Sequence, residues 1–402
     1  MTFDDDSKPA GAAPRTLPQR RRSPVAVTAV VVAIVIVGSI ALANVWTEIQ
    51  WYSQLGYLEV FRTQWVARLT IFVVFALLAG GAVWLTLWIA RRVRPERGRR
   101  AALDQYRDQI RPLENAVMWI APVAVGAIAG IVMASNWQQI LAWLNASDFG
   151  VKDPQFGLDA SFYVFTLPVL RGFVAFALTI LILCAALATF VHLLYGGISG
   201  SGRSFVASKG ARIRLAVMGA LIMLFIAANY WLQRYALLTK AGEKIYGAAY
   251  TDVNAILPSR GILVGIAVLV ALVFLLVIWR PDWRIPAMGV GLMLVASIAI
   301  GGIYPAIVQR FQVGPNQVDL EEPYIKRNIE ATRFAYGIDQ VEVKPYEAKT
   351  EADADALRAD ADTTAQIRLL DPNVVAPAFQ QLQQNKQYYN FGEKLQVDRY
   401  RI

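Results

Sequence analysis

Seven long apolar stretches constrain this 402-residue chain more than any other feature. A helix rises ~1.5 Å per residue and the apolar core of a bilayer is ~30 Å thick, so a spanning helix needs ~20 apolar residues. Because no water satisfies backbone polar groups inside lipid, such stretches are expected to be helical. The predicted spans are residues 25–44, 66–90, 116–135, 172–195, 215–232, 261–279 and 286–308.

Composition agrees with a membrane protein. Hydrophobic residues make up 56% of the chain and charged residues 17%, whereas soluble domains average ~45–50% and ~25%. This balance excludes a disordered chain, a coiled coil and a disulfide-rich secreted module. Cys184 and His192 are the only residues of their types, so neither an intramolecular disulfide nor a usual tetrahedral zinc site is expected. Cys184 is interpreted as a small apolar core residue, and His192 as a histidine near a helix end whose hydrogen bonds are satisfied.

Basic residues set the predicted orientation. Nineteen Lys and Arg residues lie in the N-terminal tail and the second, fourth and sixth loops, against six in the other loops. The positive-inside rule then places the N-terminus in the cytoplasm and the segment after the seventh span outside a plasma membrane. The net charge of +9 is therefore a topology signal, and no nucleic-acid partner is expected.

We predict an all-α polytopic membrane protein of about seven transmembrane helices, followed by a mixed α/β extracytoplasmic segment. The predicted domains are a basic cytoplasmic tail (1–24), a seven-helix transmembrane domain (25–308) and the start of an extracytoplasmic domain (309–402). Within the last, residues 341–343 alternate like a strand and 378–384 are typical of a helix. We expect the domain to be truncated. The alternative for the first span is a cleavable signal peptide ending near 41–43, which would leave six spans.

Three aspartates in the extracytoplasmic loops are the candidates for a functional cluster: Asp153, Asp159 and Asp252. They could bind a metal or serve a catalytic site, or they could be solvated acids and helix caps. Asp159 precedes Ser161 at a predicted helix start, which favours a cap. We assign no catalytic, cofactor-binding or metal-binding residue and no cofactor.

Other motifs carry weaker signals. Residues 197–204 fit the phosphate-loop pattern with Arg203 in the Lys position, but they follow a membrane helix, so a flexible turn is the preferred interpretation. Residues 353–358 resemble the start of a calcium loop without its glycine. Two G-x-x-x-G pairs, Gly126 with Gly130 and Gly261 with Gly265, predict close helix packing, either inside the bundle or in a dimer.

Several longer motifs are spread along the chain: Leu55-Gly56-Tyr57, Asp153-Pro154-Gln155-Phe156, Phe162-Tyr163-Val164-Phe165, Tyr250-Thr251-Asp252-Val253-Asn254-Ala255, Glu322-Pro323-Tyr324-Ile325, Leu369-Leu370-Asp371-Pro372 and Val397-Asp398-Arg399-Tyr400. With these motifs the chain resembles the N-terminal part of a family of large, uncharacterised multi-pass membrane proteins of actinobacteria and cyanobacteria. The resemblance implies about seven spans, a long extracytoplasmic region and a fragmentary member. It implies no activity and no site residues.

The predicted function is an integral plasma-membrane protein that anchors a large extracytoplasmic domain at the cell envelope. The alternative is a transporter, channel or lipid-translocating protein that uses the helix bundle as its path, which broken helices around Pro122, Pro168 or Pro305 would favour. None of the seven stretches contains Asp or Glu, which argues against a proton-coupled pump. An enzyme is the least favoured class. Expected partners are the lipid bilayer and envelope components, and no oligomeric state is assigned.

Overall fold

The computed structural model of the chain describes residues 24–92, 114–195, 198–201, 204–242, 245–345, 371–383 and a few single positions after 354. Seven helical runs within these ranges are long and apolar enough to cross a membrane, which confirms the predicted spans. The chain divides into two compact units, residues 1–335 and 336–402. The basic tail, most of the second loop and most of the calcium-like stretch lie outside the described residues.

Ten α-helices build the described part of the first unit. They are α1 (Pro24–Gln54), α2 (Leu58–Arg92), α3 (Glu114–Ala134), α4 (Trp137–Leu144), α5 (Leu167–Leu194), α6 (Lys209–Tyr235), α7 (Leu257–Leu276), α8 (Arg284–Ile298), α9 (Tyr304–Ile307) and α10 (Gln317–Ala335). Helices α8, α9 and α10 belong to one helical run from Arg284 to Ala335. This run extends well beyond the predicted end of the seventh span at residue 308, because hydropathy marks depth in lipid, whereas a helix continues wherever its backbone bonds are satisfied.

In the part of the chain that the structure describes, four π-helical segments interrupt the α-helical geometry, and each ends two residues before a proline. The segments are Phe162–Thr166, Asp252–Ile256, Ala299–Ile303 and Val308–Val313, and the prolines are Pro168, Pro258, Pro305 and Pro315. In each case the residue just before the proline donates its N–H to the carbonyl five positions back. A proline ring clashes with the carbonyl four positions back, and the wider turn relieves that clash without breaking the helix.

Close glycine packing joins α2 to α3. A Cβ atom added to Gly126 would lie 2.6 Å from the carbonyl oxygen of Ala76, and one added to Gly130 would lie 2.7 Å from that of Phe72. The first G-x-x-x-G pair therefore packs inside the bundle, one of the two predicted alternatives. A Cβ atom at Gly261 or Gly265 would meet nothing within 4 Å, so the second pair makes no such contact in the described part of the chain.

The apolar core lies between neighbouring helices. One cluster joins α2, α3 and α5, and its buried members are Ala79, Val83, Leu87, Met118, Ile180 and Cys184. A second joins α6 and α7 through Ala220, Met223, Val270 and Ala271, and a third adds Met293 of α8. Helix α1 is exposed along most of its length. The interpretation of Cys184 as a core residue is thus confirmed.

His192 and two arginines occupy the opposite end of the bundle from residues 145–161. His192 is buried in the last turn of α5, and its Nε2 atom has no hydrogen-bond partner within the described ranges. Arg212 donates to the carbonyl oxygen of Ile278 at 3.3 Å, and Arg214 donates to that of Thr86. The two arginines therefore connect the start of α6 with the residues after α7 and with α2.

The phosphate-loop pattern forms a β-hairpin instead of a strand–loop–helix unit. Strands β1 (Ile198–Ser201) and β2 (Ser204–Ala207) pair antiparallel, with Ser201 opposite Ser204. Helix α6 begins only at Lys209, and its N-cap is the Ser208 side chain, which accepts from the N–H of Ala211. No helix start therefore follows the described residues of the pattern directly, as that motif requires.

The expected mixed α/β character of residues 309–402 is not supported by the described part of the segment. It contains α10 and a further helix, α11 (Pro372–Leu382), which matches the predicted helix near 378–384. Residues 341–345 have no strand assignment, although 341–343 alternate as a strand would. An alternating sequence forms a ladder only when a second strand supplies hydrogen bonds, and Val341 and Val343 are exposed.

Candidate functional site

Two loops and one helix meet at one end of the bundle, which we call the loop end. The loops are residues 145–161, before α5, and 236–251, before α7; the helix is the polar part of the last helical run, residues 309–328. Phe156 and Phe162 pack on Tyr235 at the end of α6, with ring centroids 4.8 and 5.5 Å apart. Arg327 of α10 donates to the Gln155 side chain at 3.4 Å, and α10 also accepts from or donates to Tyr250 and Tyr246, so the last helix contacts both loops.

The helix that continues into α7 begins at residue 250, and we call residues 250–256 the start of the α7 helix. A network of polar side chains, which we call the polar junction, joins this start and the preceding Tyr246 to the last helical run. Its hydrogen bonds are Tyr250 N–H to Glu321, Thr251 to Gln309, Gln312 to the Tyr250 hydroxyl, Asn254 to the Tyr324 hydroxyl, and Asn328 to the Tyr246 carbonyl. The four bonds other than that of Thr251 to Gln309 span 2.8–3.1 Å. The rings of Tyr250 and Tyr324 also meet edge to face at 6.3 Å.

Two buried carboxylates accept hydrogen bonds from free backbone N–H groups at the start of this helix. The Asp252 side chain reaches back to the N–H of Ala249 at 3.1 Å, as the third residue of a capping box does. Glu321, 71 positions further along the chain, accepts from the N–H of Tyr250 at 3.0 Å. Free N–H groups and the helix dipole favour negative charge at this position. Asp252 is 4% exposed and Glu321 is 7% exposed, so both bonds are shielded from water.

Lys240 supplies the counter-charge for Asp252. Its Nζ atom lies 3.0 Å from Asp252 Oδ1, and its side chain is half exposed while that of Asp252 is almost fully buried. The ion pair links the end of the Ala236–Thr239 turn to the start of the next helix. It therefore closes the loop of residues 240–252 at its base.

Asp153 organises the other loop. Its Oδ1 atom accepts from the N–H groups of Gln155 and Phe156, and its Oδ2 atom accepts from the N–H of Leu158 and the hydroxyl of Tyr163, over 2.6–2.9 Å. A carboxylate offers about four acceptor positions. Four protein donors therefore use the capacity of this side chain, which leaves it a structural role.

Asp159 caps the helix that follows, as its position before Ser161 predicts. It accepts from the N–H groups of Ser161, Phe149 and Gly150 at 2.8–3.0 Å. These bonds, that of Ser161 foremost, lower the pKa of Asp159 to about 2, because they stabilise the ionised form. The cap interpretation of this residue is confirmed.

The three candidate aspartates do not form one cluster. Asp153 and Asp159 bind backbone donors of a single loop, whereas Asp252 pairs with Lys240 in the other loop. Within the ranges that the structure describes, no group of three His, Cys, Asp or Glu side chains could hold a metal ion. The loop end instead contains hydrogen bonds that connect the last helical run to residues 145–161 and to residues 236–251.

Sequence reasoning identified half of the polar junction. Residues 250–255 and 322–325 belong to the motifs quoted above, but nothing local to either stretch indicated that they bind each other. Glu321, Gln309 and Gln312 were missed altogether. The signal available in the sequence was Glu321 itself. This acid directly precedes the motif Glu322-Pro323-Tyr324-Ile325 and lies three positions, about one helical turn, before Tyr324.

Comparison with known proteins places the chain among bacterial relatives. The model of the Uncharacterised protein family (UPF0182) matches residues 25–402. The chain is 42% identical over 400 residues to a UPF0182 protein of Arthrobacter sp. (strain FB24), covering 98% of this chain and 40% of the relative. It is 44% identical over 387 residues to one of Clavibacter sepedonicus (96% and 40%) and 41% identical over 394 residues to one of Thermobifida fusca (97% and 39%). The chain thus spans about 40% of these relatives' length. No solved structure matches it.

Proposed function

This chain belongs to the uncharacterised protein family UPF0182, and from that premise we propose that residues 24–335 act as a membrane platform that anchors an extracytoplasmic region at the plasma membrane. The seven apolar helical runs hold the platform in the bilayer. In this proposal the last helical run, Arg284–Ala335, crosses the bilayer and extends beyond it. Because the chain spans only part of its relatives' length, the activity of the anchored region is left open.

The polar junction is the observation that carries this proposal. The last helical run has 52 residues, about twice what the apolar core of a bilayer requires. Its second half is polar, and five side-chain hydrogen bonds fasten it to residues 246–254. A helix that only crossed the membrane would need no such bonds. These bonds fix the direction in which the chain leaves the membrane domain.

Charge supports the orientation within this proposal. Along the sequence, Lys and Arg are concentrated in the N-terminal tail and the second, fourth and sixth loops, which the positive-inside rule assigns to the cytoplasm. The loop end is then extracytoplasmic. It carries exposed aromatic residues such as Trp46, Trp51 and Tyr57, which prefer the level of the lipid head groups.

The transporter alternative expects helices broken near the membrane centre. Helix α3 passes Pro122 without interruption, and the segments before Pro168 and Pro305 are wide π turns that stay helical. Unwound backbone that could coordinate a substrate is therefore not described at these prolines. This observation favours the anchor over a path through the bundle.

Cysteine accessibility tests the orientation. In a Cys184→Ser background, single cysteines replace Phe334 in α10 or Trp279 in the connection before α8, both of which are exposed. A membrane-impermeant maleimide added to intact cells should label position 334 and spare position 279 until the cells are opened. The reverse labelling would contradict the proposed orientation and with it the anchoring role.

Distance measurement tests the platform itself. Spin labels at positions 144 and 334, both exposed, should give one narrow distance distribution in the wild-type background. Glu321→Ala should broaden it, since the bond to Tyr250 is lost. Glu322→Ala, at the exposed neighbouring position, is the matched control and should leave it narrow. A broad distribution in the wild-type background would show that the run is not held, and would overturn the proposal.

A further inference from the structure

A groove of about 590 Å³ lies between the first half of α2 and the short helix α4. Its polar end is formed by Glu59, Arg62 and Thr63, all near the start of α2. Apart from Thr70, the rest of the lining is apolar: Val66, Ala67, Ile71, Ile140, Leu141 and Leu144. The charged side chains therefore lie at one end of a groove whose lining is otherwise mainly apolar.

The charged residues at the polar end face solvent and are available to a ligand. Glu59 and Arg62 are exposed, and neither forms an ion pair or a side-chain hydrogen bond with any residue that the structure describes. They lie one helical turn apart, on the same face of α2. The polar end thus presents one cation and one anion side by side, next to the hydroxyl of Thr63.

The apolar part is a fixed surface. Ile71 and Ile140 are buried in its floor, in a cluster with Met133 that also contacts Phe173 and Phe176 of α5. Trp143 packs edge to face on Phe173 at 5.9 Å, which holds α4 against the bundle. Leu144, at the end of α4, is exposed beside the groove. The groove is therefore preformed.

Neighbouring side chains place the groove at the edge of the apolar zone. The Arg68 guanidinium lies over the Trp137 ring, 5.4 Å from its centroid, and Trp65 is partly exposed. Tryptophan and arginine in this arrangement are typical of the head-group level, where apolar rings and charged tips both find suitable surroundings. The polar end of the groove lies toward the start of α2, and its apolar part follows α2 into the predicted second span.

We propose that this groove binds one glycerophospholipid with a primary-ammonium head group. Arg62 pairs with the lipid phosphate, Glu59 accepts from the ammonium group, and Thr63 donates to an ester oxygen. The acyl chain lies along the apolar part of the groove between α2 and α4. The volume is within the range of ~300–1,000 Å³ typical of small-molecule sites. The phosphate and the ammonium group of such a lipid match the charges of Arg62 and Glu59. A purely anionic lipid offers no positive group to Glu59.

This site goes beyond the anchoring role and does not depend on it. The groove residues lie in α2 and α4, whereas the polar junction joins residues 246–254 to the last helical run. Failure of the lipid proposal would leave labelling at position 334 unchanged. Failure of the anchoring proposal would leave lipid retention unchanged.

Lipid retention provides the test. The full chain is purified in a mild detergent, incubated with phosphatidylethanolamine or phosphatidylglycerol of the same acyl chains, and measured by native mass spectrometry. The wild type should retain one phosphatidylethanolamine and several-fold less phosphatidylglycerol. Arg62→Gln should weaken retention of both lipids roughly tenfold, the ratio for one lost charge-assisted hydrogen bond. Glu59→Gln should abolish the preference between them.

Two further variants separate this groove from general lipid contact. Leu141→Trp fills the apolar part and should remove the retained lipid, whereas Leu69→Trp, on an exposed α2 position outside the groove, should not. Arg171→Gln, an exposed arginine at the start of α5, is the control for Arg62→Gln. Thermal unfolding of each variant checks its fold. Equal retention of both lipids by the wild type, or unchanged retention in Arg62→Gln and Leu141→Trp, would overturn the proposal.

Discussion

The backbone N–H of Tyr250 donates a hydrogen bond of 3.0 Å to Oε2 of Glu321, and 71 positions separate the two residues. Glu321 thereby caps a helix start to which it does not belong. Asp252 caps the same start from within the helix. Since a buried N–H without a partner is costly, the start of the α7 helix and the last helical run stabilise each other. The bond therefore couples the helical segment that begins at Tyr250 to the last helical run.

Glu321→Ala should destabilise the first unit. It leaves the part-buried N–H of Tyr250 without its acceptor and removes a negative charge from a helix N-terminus, together about 1–3 kcal/mol. The measurement is unfolding in mixed micelles with increasing sodium dodecyl sulfate. Glu322→Ala changes an exposed neighbour and should behave as wild type. Equal losses in both variants would mean that the capping bond contributes nothing.

The two G-x-x-x-G pairs should respond in opposite ways to alanine. Gly126→Ala places a methyl group 2.6 Å from the carbonyl oxygen of Ala76, so α2 and α3 must separate. Gly261→Ala meets nothing within 4 Å and gains helix propensity of up to ~1 kcal/mol. We expect a lower midpoint of unfolding in detergent for the first and an unchanged or higher one for the second. A loss at Gly261 comparable to that at Gly126 would indicate a second contact surface, such as a dimer.

Local patterns predicted local structure well. Hydropathy located all seven helical runs, because lipid solubility is a property of each stretch by itself. The position of Asp159 two residues before Ser161 predicted its cap, since a side chain reaches that N–H whatever the rest of the fold does. The strand at 341–343 failed because alternation identifies a pleated surface but not the partner strand.

Hydrogen-bonded pairs far apart in the sequence could not be predicted from local patterns. Glu321 with Tyr250, Gln155 with Arg327 and Thr251 with Gln309 join residues from different helices and loops, and no periodicity within one stretch encodes such a partner. The π segments were likewise not predicted. Each precedes a proline, but Pro122 lies inside an ordinary α-helix, so proline alone does not identify them.

Loop 145–161 should loosen in acid through Asp159. Its pKa is lowered to about 2 in the folded protein, chiefly by the N–H of Ser161 and then by those of Phe149 and Gly150. Its stabilisation is therefore fully present above pH ~4, the unfolded value, and is lost as the pH falls toward 2. Hydrogen exchange of the Phe149 and Gly150 amides, corrected for intrinsic rates, should accelerate across that window.

Asp159→Asn is the control for this pH effect. An asparagine carries no charge, so those two amides should be less protected at neutral pH and should show no further change between pH 4 and 2. Amides in the middle of α7 serve as an internal reference. An acid response that persists in Asp159→Asn would assign it to another group.

The ion pair of Lys240 and Asp252 should show an asymmetric response to mutation. Lys240→Met leaves a carboxylate that is 5% exposed without its cation, whereas Asp252→Asn releases a lysine that is already half exposed and can turn into water. We expect a loss of roughly 1–3 kcal/mol for Lys240→Met, below the ~3–5 kcal/mol of a fully buried pair, and a smaller loss for Asp252→Asn. The double variant should resemble Asp252→Asn, because no charge is then left buried. Unfolding of all four proteins in mixed micelles gives the coupling energy, and additive losses would show that the two charges do not interact.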